Sequence, residues 1–216
     1  MSEILSKISE AIIQGNVDDM VEMTEEAIDD GIPAQDILDK GLMAGMDYVG
    51  VEFKAGNMFV PEVLRSAKAM QTAMEVLKPE LVKAGARRTG RVLIGTVKGD
   101  MHDIGKNLVG MMCEGAGFEV KDIGKDIAPD AFVQAVRDLR PDIVGMSALL
   151  TTTMRGMGHT IKALEEAGLR DQVKVIVGGA PVTQAFSDQI HADGYAPNAA
   201  AAADLAKKLV GAVQRG

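Results

Sequence analysis

The chain holds one cysteine in 216 residues, so no disulfide can form within it. Cys113 lies among apolar residues of a helical pattern, with no neighbour that would lower a thiol pKa, and reads as an inert buried side chain. Tryptophan is absent and aromatic residues make up 3% of the sequence, while methionine reaches 14 residues. A core of aliphatic and thioether side chains follows, which suits helices better than a β-sandwich. No apolar run approaches the roughly 18–20 residues that a membrane span needs. The segment from Met1 to Gln14 is amphipathic and carries acidic residues, unlike a basic-then-apolar leader, so the protein is expected to stay in the cytoplasm and off the membrane. The 23 Lys and Arg form no dense patch, and a formal net charge of −8 argues against nucleic acid as a partner. Histidines number three, far apart at 102, 159 and 191, which is too few for a zinc or iron site built from protein ligands alone.

What is present describes an ordinary globular chain, with 47% hydrophobic and 25% charged residues and a length suited to one or two domains. Up to about Lys83 the apolar residues recur at helical spacing (Ile4, Ile8, Ala11, Ile12, then Val17, Met20, Val21, Thr24). Breaks at Gly15-Asn16, Gly31-Ile32-Pro33 and Gly56-Asn57 divide this half into four helices, and such short breaks imply an antiparallel bundle. Met43, Met46, Met58, Met70 and Met74 read as core filler, and the charge run from Glu22 to Asp30 as a solvated helix face. Residues 84–90 are polar, carry two glycines and lack periodicity, which marks a linker. The expected division is therefore a helical domain at 1–86 and a second domain at 90–216.

In that second domain, short apolar runs alternate with amphipathic helical segments. Val92 to Val97, Phe118 to Ile123, Ile143 to Ser147 and Val173 to Val177 read as strands, with a weaker fifth near Asp193 to Tyr195. Helices are expected near 104–116, 130–139, 154–168 and 198–213. This order predicts an α/β Rossmann-like, flavodoxin-like domain with a five-stranded parallel sheet, whose ligands bind beyond the carboxyl ends of the strands.

The loop after the first strand reads Gly99-Asp100-Met101-His102-Asp103-Ile104-Gly105. A histidine that binds a metal through one ring nitrogen needs its other N–H held by an acceptor, and Asp100, two residues earlier, is the best local one. Gly99 and Gly105 allow close approach of a large ligand, and Asp103 is placed to cap the helix that follows. A single protein ligand makes sense for a metal only if a macrocycle supplies the others.

This loop carries a D-x-H-x-x-G motif. Forty-one residues separate Gly105 from the S-x-L element Ser147-Ala148-Leu149, and 28 separate Leu149 from the pair Gly178-Gly179. In these three elements the chain resembles the cobalamin-binding domains of the methionine synthase type. The stretch from Met58 to Met70 is similar to the helix of the family's cap bundle, so the resemblance spans both halves. With both halves present and nothing appended, the chain looks like the corrinoid subunit of multi-component methyltransferases acting on methylamines, methanol, methoxylated aromatics or betaines.

The resemblance implies cobalamin bound base-off and His-on, with His102 as the lower axial ligand of cobalt and Asp100 as its hydrogen-bond partner. It places Met101, Asp103 and Leu149 in the cofactor-contacting loops. It implies a channel for the displaced nucleotide tail, lined by Ser147 and Thr151, with room left by Gly178 and Gly179 and a further contact at Ala199. Phe59 is the preferred cap contact, with ordinary packing as the alternative. His159 and His191 read as surface or packed residues. The chain shows no general base, nucleophile or substrate pocket of its own, so the resemblance implies a methyl carrier rather than an independent catalyst. Its implied partners are a substrate-specific methyltransferase, a second methyltransferase passing the group to a thiol or to tetrahydrofolate, and a reductive activase. A cobalamin-dependent sensor is the alternative, against which stands the lack of any evident DNA-binding output segment. The first loop has neither G-x-G-x-x-G nor a Walker lysine, which disfavours another nucleotide as ligand.

Overall fold

Helix α1 (Glu3–Gln14) buries Ile4, Leu5, Ile8, Ala11 and Ile12 along one face and stops at Gly15, whose left-handed backbone returns its N–H to the last turn. The computed structural model that shows this describes residues 2–84 and 89–213. Helix α2 (Met20–Asp29) buries Met20, Thr24 and Ala27 and leaves Glu22, Glu25, Glu26 and Asp29 exposed. Helix α5 (Val60–Lys83) starts where the Glu62 carboxylate accepts the Phe59 N–H at 2.8 Å, and it buries Val63, Ala67, Met70, Ala73 and Leu77.

Between α2 and α5, one regular helix is expected, and the structure is less simple. A short α3 (Ala34–Asp36) runs into a π-helical segment, Ile37–Met43, which continues as α4 (Ala44–Ala55). Ile37, Leu38, Gly41, Leu42, Gly45, Met46, Val49 and Gly50 are all buried, so the buried positions repeat every four residues. On an α-helix such a repeat drifts about 40° per step, because four residues exceed one turn of 3.6. The wider π turn takes up that drift and keeps the stripe facing α1. There, a Cβ on Gly45 would lie 2.7 Å from that of Ile12, which is why the position is glycine.

The second half forms a five-stranded, all-parallel sheet in the order β2-β1-β3-β4-β5. The strands are β1 (Gly90–Thr96), β2 (Phe118–Asp122), β3 (Ile143–Ser147), β4 (Lys174–Gly178) and β5 (Gly194–Tyr195). Alternation along β1 divides the core. Leu93 and Val97 join Phe132, Val136, Met157, Ile161 and Leu164 of helices α7 (Pro129–Leu139) and α8 (Arg155–Glu166). On the opposite face Ile94 packs so closely on α6 (Ile104–Gly115) that a Cβ on Gly110 would lie 2.9 Å from its Cδ1. Helix α10 (Ala199–Val213) packs on β4. A short helix between β4 and β5, α9 (Gln184–Gln189), is an addition to the sequence reading; Thr183 caps it by accepting the Phe186 N–H.

Because β2 lies on one side of β1 and β3 on the other, the chain reverses direction across the sheet at β1 and β3. Parallel sheets of this order bind ligands at that switch point. The described chain clusters into two compact units, Met1–Arg88 with Glu114–Gly117, and Thr89–Cys113 with Phe118–Gly216. Of the expected linker, residues 85–88 lie outside the described residues. Among the described residues no helix is long and apolar enough to cross a membrane.

Candidate functional site

Strands β1, β3 and β4 end in register, with Thr96 beside Ser147 and Ser147 beside Gly178. Three loops leave this line of strand ends: β1–α6 (97–103), β3–α8 (148–154) and β4–α9 (179–183). Asp100 ties the first two together. It is fully buried, and its carboxylate accepts five hydrogen bonds. Oδ1 takes the His102 N–H at 3.0 Å and His102 Nδ1 at 2.7 Å. Oδ2 takes the Leu149 N–H at 2.8 Å, the Leu150 N–H at 3.3 Å and the Thr153 hydroxyl at 2.7 Å. Burial opposes the charge, yet the bonds from Thr153, Leu149 and His102 outweigh it and hold the carboxyl well below the usual carboxylate range.

An ionised carboxylate only accepts, so His102 Nδ1 must donate, and the lone pair of the neutral ring sits on Nε2. The backbone is fixed as well, since the His102 carbonyl accepts the Thr96 hydroxyl at 2.9 Å and Thr96 is itself fully buried. The imidazole is thus anchored at one edge, while its side chain remains 51% exposed.

Four exposed apolar side chains lie on the loops that bear His102 and Asp100's partners: Met101 just before His102, Ile104 two residues after it, and Leu149 and Leu150 on the loop that donates to Asp100. Gly105 is exposed, and a Cβ there would meet nothing within 4 Å, so the protein itself gives no steric reason for glycine. Among the described residues no three His, Cys, Asp or Glu side chains converge as they would around a metal held by protein alone. A lone imidazole nitrogen, with exposed apolar side chains and a sterically unconstrained glycine on the same loops, fits a metal whose remaining ligands come from a large flat ring. A corrinoid is one such ring.

The structure brings Gly99, Asp100, Met101, His102, Asp103, Gly105, Ser147 and Leu149 to one end of the sheet. Asp103 immediately precedes α6, and its carboxylate faces Lys125 at 3.4 Å. Gly178 and Gly179 reach the same edge. A Cβ on Gly179, where φ is +130°, would lie 1.8 Å from the Ala148 carbonyl oxygen, and one on Gly178 would lie 3.0 Å from that of Ala196. Close approach of the Ala148 backbone thus gives Gly179 a cause within the fold, and the fit at Gly178 is tight, besides any room the two glycines leave for a ligand tail. Ala199 is buried at the start of α10, and Thr151 is exposed. Phe59, in the helical unit, is 67% exposed and directly precedes α5.

Thr153 is a site residue that the sequence reading passes over in favour of Thr151. The signal available was a run of three threonines after a strand end, and which of them turns inward depends on the loop's tertiary path.

Two B12 binding domain models match the chain, one over residues 4–78 and one over residues 90–204. A corrinoid protein of Desulfitobacterium hafniense strain Y51 is 42% identical over 211 residues, covering 96% of this chain and 98% of the relative. A dimethylamine corrinoid protein of Methanosarcina barkeri is 45% identical over 210 residues, covering 96% and 98%. Among solved structures, the methanol:cobalamin methyltransferase complex MtaBC of Methanosarcina barkeri matches with a TM-score of 0.86 at 34% identity, over 97% of this chain and 80% of that one.

Proposed function

Because this chain belongs to the B12-binding family of corrinoid proteins, we propose that it carries a methyl group on the cobalt of a base-off corrinoid, with His102 as the axial ligand from the protein. The observation that carries this reading is the half-exposed imidazole paired with a fully buried, fully engaged carboxylate. A bound corrinoid supplies cobalt that accepts a methyl group in its Co(I) state and gives it up to a nucleophile.

Residues of the chain have separate tasks in this reading. Asp100 fixes the tautomer and the plane of His102, so that Nε2 is the free nitrogen. Thr153 and the Leu149 and Leu150 N–H groups keep Asp100 ionised and unable to rotate. When His102 is not engaged as a ligand, its Nε2 can take a proton while Nδ1–H stays on Asp100. Gly99, Met101, Asp103 and Gly105 would contact a bound corrinoid from the His102 loop, and Phe59 is the helical unit's candidate cofactor contact. Ser147, Thr151, Gly178, Gly179 and Ala199 are assigned to the nucleotide tail.

The relatives' names tie corrinoid proteins of this length to dimethylamine and methanol methyl transfer. By that analogy, a substrate-specific methyltransferase delivers the methyl group, a second methyltransferase passes it to a thiol or to tetrahydrofolate, and an activase restores the reduced cofactor. A direct test loads the chain with a corrinoid bearing an isotopically labelled methyl group, removes unbound corrinoid, and adds a corrinoid:thiol methyltransferase with its thiol. Movement of the label to the thiol is the expected result. Label that stays on the protein while the partner demethylates free methylcobalamin would instead support a sensor or storage role.

A further inference from the structure

The β1–α6 loop that bears His102 is also held from a third direction, by Asp126 in the β2–α7 loop (123–128). Asp126 Oδ1 accepts the Gly99 N–H at 2.8 Å, its Oδ2 pairs with Lys98 Nζ at 3.1 Å, and its own N–H donates to the Asp100 carbonyl at 3.0 Å. One residue therefore engages Lys98, Gly99 and Asp100 in succession. Its neighbour Ile127 donates to the Thr96 carbonyl at 2.9 Å, and Thr96 in turn donates its hydroxyl to the His102 carbonyl.

Asp126 adopts this position with φ at 58°, a left-handed conformation that aspartate and asparagine tolerate better than other side chains. Gly99, which it holds, is also left-handed, with φ at 85°. The Asp100 carboxylate anchors the histidine loop toward β3–α8, and Asp126 anchors the same residues toward β2–α7. Together these contacts fix both the main chain and the side chain of the Asp-x-His turn.

We infer that Asp126 is a positioning residue for the cofactor ligand: by holding the Gly99–Asp100 backbone it sets His102 at the height and angle at which Nε2 can meet the metal. This inference rests on His102 being that ligand. Preorganisation of this kind lowers the cost of ordering the loop on binding, so its loss is read in ligand occupancy rather than in fold stability alone.

Two substitutions separate the roles. Asp126→Asn keeps an acceptor oxygen and the left-handed backbone, whereas Asp126→Gly keeps the backbone and removes the acceptor. With the full chain reconstituted with hydroxocobalamin, the readouts are the His-ligated fraction in the Co(III) absorption spectrum, cobalamin affinity, and the melting temperature of the cofactor-free protein. Asp126→Gly should lower the His-ligated fraction or the affinity by about fivefold, the scale of one partly screened ionic hydrogen bond. Asp126→Asn should stay within about twofold of wild type. If glycine unfolds the loop, Asp126→Ser serves in its place, because its oxygen sits one bond short of the carboxylate's. Wild-type spectrum and affinity in the folded glycine or serine variant would overturn the positioning role. His102→Ala run alongside keeps the two claims distinct, since an altered spectrum there with an unaltered one at position 126 defeats this inference alone. An unaltered spectrum in His102→Ala defeats the ligand assignment and this inference with it.

Discussion

Asp100 is fully buried and accepts five hydrogen bonds, so asparagine in its place turns one of two acceptor oxygens into a donor that faces other donors. Asp100→Asn should destabilise the cofactor-free protein by about 1–3 kcal/mol at neutral pH, the cost of leaving buried polar groups unpaired. The pH dependence follows from the direction of its shift. The folded carboxyl is held below its unfolded value, so its stabilising contribution is complete above the unfolded pKa and is lost as pH falls toward the folded one. In urea denaturation, the gap between wild type and Asp100→Asn should hold steady from about pH 7 to 5 and narrow below about pH 4. A gap that does not change down to about pH 3 would mean that the hydrogen bonds do not favour the ionised form. Gly179 poses a different problem at the same scale, since even a methyl group there would meet the Ala148 carbonyl. Gly179→Ala should therefore lower stability by about 1–3 kcal/mol without any cofactor present, and unchanged urea midpoints would show that the β3–α8 loop yields freely.

Among the elements, α10 offers the cleanest test of local design, because Asn198 accepts the Ala201 N–H at 2.8 Å at the helix start. Asn198→Ala should cost about 1 kcal/mol, and Asn198→Asp or Asn198→Ser should recover most of it in thermal melts. The elements also show what the sequence discloses. The strands were legible because Val92–Val97 and Ile143–Ser147 are short apolar runs bounded by turn residues, and the helical half because Ile4, Ile8, Ala11 and Ile12 keep helical spacing. The His102 loop was legible through motif spacing alone. The π-helical segment was visible only as a four-residue repeat of buried positions, from Ile37 through Gly41 and Gly45 to Val49, which looks like ordinary amphipathicity until compared with the α-helical period. Helix α9 is six residues long and buries only Ser187 along its length, so it leaves almost no periodic signal. The links from Thr153 and Asp126 to the loop of Asp100 join residues 53 and 26 positions apart, and no local pattern encodes such distances.

At the scale of the molecule, the chain combines two units whose compositions differ as the sequence suggests, one helical and one built on a parallel sheet. Residues 84–90 are polar and glycine-containing, and we propose them as the boundary between two independently acting domains. Limited proteolysis should cut there first and release a C-terminal fragment that retains corrinoid; a first cut inside α1 to α5 would contradict the division. The central claim concerns one nitrogen atom, His102 Nε2, and it is tested by the absorption spectrum of the Co(III) corrinoid bound to the full chain. The account predicts a His-ligated spectrum in wild type and its replacement by a water-ligated or base-off spectrum in His102→Ala. A His102→Ala spectrum that superimposes on wild type would contradict the account.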